Sequence, residues 1–307
     1  MTTAPALPQP PTPAPAASTW SLPLPGGARL ELAAGRPALM GVVNVTPDSF
    51  SDGGRYLDPQ RALDHALRLV EEGADLLDLG AESTRPGGGV YGAGARAVGA
   101  DEEIARLLPV LERLRPRVAV PISIDTRKGA VARAALAAGA DLINDVSALA
   151  DPETAAAAAA AGAPVVLMHA RGELATMQSA IAFVDVVAEV RDELARARQR
   201  AIGLGIAAER ILLDPGLGFG KTAAQNYRLL ARLEQLVGLG APVLVGASRK
   251  SFLGQPTGAP AGERLPGSLA AAARAAEAGA ALLRVHDVAA TRQFLAVRGA
   301  LAAEAGA

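Results

Sequence analysis

Eight polar clusters recur along the 307-residue chain, each directly after a short apolar run. In order they are Asn44, Glu82-Ser83-Thr84-Arg85, Asp125-Thr126-Arg127, Asn144-Asp145, Met168-His169, Asp214-Pro215-Gly216, Ser248-Arg249-Lys250 and Arg284-Val285-His286. By side-chain type they divide into two chemistries. Asp125, Asn144, Asp214 and Lys250 offer acceptors, an amide and one cation. A carboxylate can accept two parallel N–H bonds, so this set suits a flat heterocycle with an amino-keto edge. Asn44, Thr84, Arg85, Arg284 and His286 offer mainly donors and cations, a set suited to phosphate. Each residue alone also has a structural reading. Asp214-Pro215-Gly216 could be a turn, Asn144-Asp145 a helix N-cap, His169 a satisfied core histidine. All of them structural together would leave several buried polar groups at one place with no shared ligand. The stretch GVVNVTPDSFSDGG (41–54) shows the pattern most fully: a strand-like run breaks at Asn44 into a polar loop carrying Asp48 and Asp52 around Phe50. Long loops in compact domains are more often functional than not. The Gly216–Lys221 stretch, GLGFGK, lacks the spacing and ending of a phosphate-binding P-loop, and no Ser-His-Asp order or His-rich metal spacing stands out.

Clusters so far apart in sequence need a frame that brings strand ends together. Strand-like runs lie at Ala38–Val43, Asp75–Leu79, Val118–Ile124, Asp141–Ile143, Pro164–Met168, Arg210–Leu213, Pro242–Val245 and Ala281–Val285. Helical patterns lie at Pro59–Glu72, Asp101–Arg115, Lys128–Ala138, Pro152–Ala161, Phe183–Ile202, Ala223–Val237, Glu263–Ala278 and Val288–Ala302. Many helices end in the same Gly-Ala step, at 73–74, 139–140, 162–163 and 279–280, where glycine supplies a left-handed C-cap. Helices separating short buried strands argue for a parallel sheet. About eight such units match a (β/α)8 TIM barrel, which typically takes ~250 residues and handles ligands where strands end. A doubly wound sheet is the alternative, but the first strand is followed by no glycine-rich dinucleotide turn.

Composition narrows the classes further. A formal net charge of −1 gives no electrostatic case for nucleic acid or an anionic membrane surface. The chain has no cysteine, which excludes a disulfide framework, a thiol nucleophile and cysteine metal sites, and agrees with a cytoplasmic location. No apolar stretch reaches the ~18 residues of a membrane span. Aromatics are only 3%, so the core must be built from Ala, Val, Leu and Ile. Residues 1–18 are Ala-, Pro- and Thr-rich and uncharged, which predicts a disordered tail; they also lack the features of a signal peptide. Trp20–Leu32 reads as a hairpin turning at Pro25-Gly26-Gly27 that lids one end of the core. Residues 19–307 are then expected to form a single barrel domain.

Seven blocks make the clusters recognisable: MGVVNVTPDSFSDGG (40–54), ESTRPGG (82–88), SIDTRK (123–128), INDVSA (143–148), LDPGLGFGKT (213–222), GASRKSFLG (246–254) and RVHDV (284–288). In that order and at that spacing, the sequence resembles the dihydropteroate synthase family of pterin-binding barrels over all of the chain after the tail. The resemblance implies a transferase of folate biosynthesis and a sulfonamide target. It would join 6-hydroxymethyl-7,8-dihydropterin diphosphate to p-aminobenzoate with Mg2+, release pyrophosphate and work as a homodimer. It implies that Asp125, Asn144, Asp214 and Lys250 hold the pterin edge, with Met168 lining the pocket and Arg284 across the ring. Asn44, Thr84, Arg85, Arg284 and His286 would take the diphosphate, Asn44 lying near Mg2+. Phe50, Thr84, Pro86, Phe219, Lys250 and Ser251 would form the p-aminobenzoate pocket. Catalysis would fall to Asp52, Arg85, Lys250, Arg284 and His286: the cations and Mg2+ neutralise the leaving diphosphate, and Asp52 stabilises the pterin cation. The chain departs from the family in a longer Gly/Ala-rich stretch from Gly87 through Gly94 to Ala100, in Ala170 after His169, and in Ala81.

Two other readings share the fold. A pterin-dependent methyltransferase would use the Asp125/Asn144/Asp214 set but has no need of a diphosphate site, against the SRK and RVH clusters. A catalytically silent pterin-binding paralogue has no need of intact loops at 44–52 and 82–86.

Overall fold

The apolar runs that follow each Gly-Ala step are strands. At each step, Gly73, Gly139, Gly162 and Gly279 adopt φ between +63° and +97°, which ends a helix and turns the chain toward the sheet. The computed structural model describes residues 18–45, 59–83, 98–173, 176–179 and 181–305. Expectations for the N-terminal tail before Ser18 and for the loops at 46–58 and 84–97 lie outside these residues.

The first two strands, β1 (Thr19–Pro23) and β2 (Arg29–Ala33), pair antiparallel as the hairpin expected from sequence, with Trp20 opposite Leu32. The remaining eight are parallel: β3 (Ala38–Asn44), β4 (Leu76–Gly80), β5 (Ile122–Asp125), β6 (Leu142–Asp145), β7 (Val165–Met168), β8 (Ile211–Asp214), β9 (Leu244–Val245) and β10 (Leu282–Val285). They pair in sequence order from β3 to β8, and β10 joins β3 to β9. A single bridge, Leu213 to Val243, closes the ring between β8 and β9. The sheet is therefore a closed (β/α)8 barrel.

Helices alternate with the strands: α1 (Pro59–Glu71), α2 (Ala100–Leu114), α3 (Gly129–Ala137), α4 (Pro152–Ala161), α5 (Val186–Gly203), α6 (Ala223–Ala231), α7 (Glu234–Val237), α8 (Ser251–Gly254), α9 (Leu265–Glu277) and α10 (Val288–Ala305). Two differ from expectation for local reasons. The helix expected from Phe183 begins at Val186, because Asp185 caps it by accepting from the Val187 and Ala188 N–H groups. The helix expected over 223–237 is broken at Arg232, which leaves helical geometry; beyond the break Leu233 and Leu236 are fully buried.

Strand alternation sorts the side chains into two shells. Leu39, Val43, Leu77, Leu79, Ile122, Ile124, Ile143, Val165, Leu167, Ile211, Leu213, Val245 and Leu283 join one large cluster with the helices. Met40, Leu76, Leu142, Val166, Leu212, Leu244 and Leu282 form a second cluster with Leu22, Leu24, Leu30 and Leu32 of the hairpin. These inward residues lie near the strand starts, so the hairpin plugs the bottom of the barrel. Two residues further along the same inward parity come Asp78, Asn144, Met168, Asp214 and Arg284. On β4, β6, β8 and β10 the barrel interior thus changes from leucine to a polar or charged side chain within one step up the strand.

Candidate active site

At the top of the barrel Arg284, on β10, lies between two carboxylates. Its Nε donates to Asp78 Oδ2 at 2.6 Å and its Nη2 to Asp125 Oδ2 at 2.9 Å. Asn144 Nδ2 donates to the same Asp78 oxygen at 3.0 Å. Asp125 sits beside Asn144 in the β5–β6 register, and Asp214 beside Met168 in β7–β8. Burial raises the Asp125 carboxyl to about 7; Arg284 pulls it down, while Asp78, Glu103 and Asp145 push it further up. Burial likewise raises Asp214, against Lys250 and the Gly216 N–H. Lys250, which stands before α8, is lowered to about 8 by burial, with Asp214 opposing. The acceptors of the ring are thus buried and paired with few cations.

Asp78 escapes a reading that looks only at strand tips, because it lies within β4. The signal was nevertheless present: a lone carboxylate in LLDLG, on the inward parity of a wholly buried strand. A buried carboxylate in that position needs partners.

The loop after β8 carries a second network that sequence reasoning passed over. Lys221 is buried, and its Nζ reaches the carbonyls of Phe219 (2.9 Å), Gly216 (3.0 Å) and His169 (3.3 Å) and the His169 Nδ1 (3.0 Å). Burial lowers this ammonium to about 7, against the pull of Asp214. A charged lysine can only donate, so His169 Nδ1 accepts and its Nε2 carries the proton, directed at Glu193 Oε2 at 2.9 Å. Burial, with Lys221 adding to it, depresses His169 to about 3. The histidine is accordingly a satisfied core group, as one of its two sequence readings had it. Gly216 is obligatory here: its φ is +63°, and a Cβ would stand 1.9 Å from the His169 carbonyl oxygen.

Phe219, fixed by this loop, joins Val146, Met168 and Met177 in a small apolar cluster. Lys250 Nζ lies 4.5 Å from the Phe219 ring centroid and also donates to the Leu217 carbonyl. Ser251, half-buried, opens α8 next to it. Asn44 is exposed at the end of β3, paired with Gly80.

His286 belongs by residue type to the set of donors and cations, and in the unliganded chain it stands on the donor side of that set. Its Nδ1 lies 3.0 Å from Ser248 Oγ, and burial followed by the Arg284 charge lowers it to about 4. In this state it offers a hydrogen bond and no charge. Two other cluster residues act structurally. Asp145 accepts from the Ser147 and Leu149 N–H groups and from Ser147 Oγ, holding Ala148 and Leu149 at positive φ. Glu82 accepts from the Val98 N–H at 2.9 Å and pairs with Lys128 at 2.7 Å. Asp214 does both jobs: its Oδ1 accepts from the Gly216 N–H at 2.7 Å, a turn within the site.

The structure therefore brings together Asp125, Asn144, Met168, Asp214, Phe219, Lys250 and Arg284, with Ser251 and His286 on the adjoining β9 and β10 tips. Phe50, Asp52, Thr84, Arg85 and Pro86 lie outside the described residues. Among the described residues no group of three or more His, Asp or Glu side chains is disposed to hold a metal ion by itself.

Comparison with known proteins gives this arrangement relatives. The profile of the family described as "Pterin binding enzyme" matches residues 40–286. Dihydropteroate synthase of Escherichia coli K12 is 46% identical over 275 residues, 88% of this chain and 93% of that protein. The structure of Xanthomonas albilineans dihydropteroate synthase with 4-aminobenzoic acid is 51% identical with a TM-score of 0.81, covering 89% of this chain and 96% of that one. The Yersinia pestis enzyme in complex with a sulfonamide drug is 43% identical with a TM-score of 0.82, covering 90% and 97%.

Proposed function

The chain belongs to the pterin-binding enzyme family, and we propose that it condenses 6-hydroxymethyl-7,8-dihydropterin diphosphate with p-aminobenzoate, giving 7,8-dihydropteroate and pyrophosphate. The observation that carries this is the buried ring of Asp125, Asn144 and Asp214 with Lys250 and Arg284, beside the apolar wall of Met168 and Phe219. A flat amino-keto heterocycle meets the carboxylates and amide edge-on and the methionine face-on. Asp125 Oδ1 is buried without a hydrogen-bond partner among the described residues, as expected of an acceptor reserved for a ligand N–H.

In this reading Asp214 and Asn144 bind the 2-amino edge, and Lys250 donates to the oxo side. Arg284 lies across the ring and, with His286, faces the diphosphate. Departure of pyrophosphate leaves positive charge on the exocyclic methylene, delocalised into the ring. The ring of buried carboxylates stabilises that charge electrostatically. The amine of p-aminobenzoate, held by Phe219, Lys250 and Ser251, then attacks the methylene, forming the C–N bond in place of the C–O bond already broken, and passes its proton to the released pyrophosphate. Asp52 and Arg85, with Thr84, Phe50 and Pro86, complete the assignment. A covalent step through Lys250 has no aldehyde or ketone to act on, since the ring oxo group is an amide carbonyl that does not form a Schiff base.

Magnesium fits the donor set. Mg2+ prefers hard oxygens, keeps several waters and is often held through substrate phosphates, and the exposed Asn44 amide offers one such oxygen at the barrel mouth. When bound, the ion would supply charge neutralisation for the leaving diphosphate. A homodimer accords with Val297 and Leu301, apolar and exposed on α10. A cytoplasmic location and sulfonamide binding go with the same reading. Pyrophosphate release from the dihydropterin diphosphate, measured with and without p-aminobenzoate, tests the activity. Release only with both substrates is expected; turnover of methyltetrahydrofolate, or binding without release, would replace the reading by a methyltransferase or a silent paralogue.

A further inference from the structure

An asparagine amide presents an oxygen on one side and an NH2 of nearly the same shape on the other. Which one faces a ligand depends on what the other side meets. In this barrel Asn144 meets Asp78, whose Oδ2 accepts from Asn144 Nδ2 at 3.0 Å and from Arg284 Nε at 2.6 Å. A carboxylate paired with a guanidinium only accepts, so a flipped Asn144 would set oxygen against oxygen. Asp78 is fully buried and Asn144 only 4% exposed, so water cannot relieve such a clash. One N–H of the amide is thereby spent inside the barrel, and its oxygen and second N–H are what remain for a ligand.

We propose that Asp78 is a positioning residue that fixes the facing of the Asn144 amide and so sets the preference for a 2-amino heterocycle over its 2-oxo counterpart. The two compounds present reversed donor and acceptor patterns at N1 and the 2-substituent, while N3–H is a donor in both. A locked amide matches one of them, and an amide free to turn matches either. The proposal rests on the pterin reading of the site and adds to it the origin of its selectivity. Asp78 touches no substrate; it acts through Asn144, and through Arg284 as a shared partner.

The test uses the full chain, wild type and Asp78→Ala, which removes the shared acceptor altogether, titrated calorimetrically with 6-hydroxymethylpterin and with 6-hydroxymethyllumazine, its 2-oxo counterpart. The wild type should prefer the pterin by at least about ten-fold, as expected where a wrong partner leaves buried polar groups mismatched. In Asp78→Ala the ratio of the two affinities should fall several-fold, the preference that remains being held by the Asp214 carboxylate. A merely structural role would weaken both ligands together and leave the ratio unchanged, and that result overturns the proposal. If Asp78→Ala does not fold, solvent exchange of the Asn144 side-chain amide protons in the unliganded wild type decides instead. Slow exchange supports the lock, and exchange at the rate of a free amide overturns it. A wild type that binds neither compound would instead defeat the pterin reading itself, and the proposal with it.

Discussion

Asp214 offers one carboxylate oxygen to its own chain, through the Gly216 N–H, and keeps the other for the pocket. Asp214→Asn can preserve the turn through its amide oxygen while turning a donor toward the ligand. The resulting buried mismatch, about 1–3 kcal/mol, should weaken pterin binding roughly ten-fold or more. Unchanged affinity by calorimetry would make Asp214 a turn residue only. Asp125 gives a prediction in pH. Its folded pKa of about 7 lies above the ordinary 3.8, so the folded protein holds a proton there that the unfolded chain has lost. Ionising it in place therefore costs stability progressively as pH rises from about 4 to 7. A ligand N–H favours the ionised form, so pterin binding must expel that proton below neutrality. Affinity should rise with pH from 5.5 to 7 and then flatten, and Asp125→Asn should remove the slope. A flat wild-type profile would mean that no ligand donor reaches Asp125.

The elements explain why some of this was legible in the chain and some was not. Strand and helix order could be read because each unit repeats a local rule: an apolar run, a polar tip, a helix and a Gly-Ala stop. The pterin-edge residues at tips, such as Asp125 and Asp214, were visible for the same reason. Asp78 showed only as a lone carboxylate in a buried run and Lys221 only as the end of a Gly-rich stretch; their roles did not show, since their partners, Arg284 for one and His169 for the other, come from distant strands. The neutrality of His286 was also out of reach, because it follows from burial and from the Arg284 charge. The hairpin has a separate role as the plug of the lower barrel. Leu32→Ala there removes a side chain only 3% exposed, which should cost about 2–5 kcal/mol of stability. Substrate KM values should stay at wild-type level. A changed KM would show that the plug and the site are mechanically linked.

Across the whole molecule the barrel divides its labour along one axis, with packed leucine below and charge above. The eight-fold succession of units announced the barrel, but its closure did not show in the pattern, because β9 is only two residues long and joins β8 through a single bridge. The axis also has an optical consequence. Trp20, the only tryptophan, sits on β1, half-buried against the lower leucine cluster. Met40 of β3 belongs to that cluster, and Asn44, four residues on, stands at the opposite rim. Indole emission should therefore be blind to the chemistry: once corrected for ligand absorbance, the native spectrum should not change when pterin or p-aminobenzoate is added. The same signal should follow unfolding faithfully, and its denaturation midpoint should move upward with ligand, since binding favours the folded state. A shift of the native emission on adding ligand would instead reveal that light collected at the floor of the barrel carries news from its mouth.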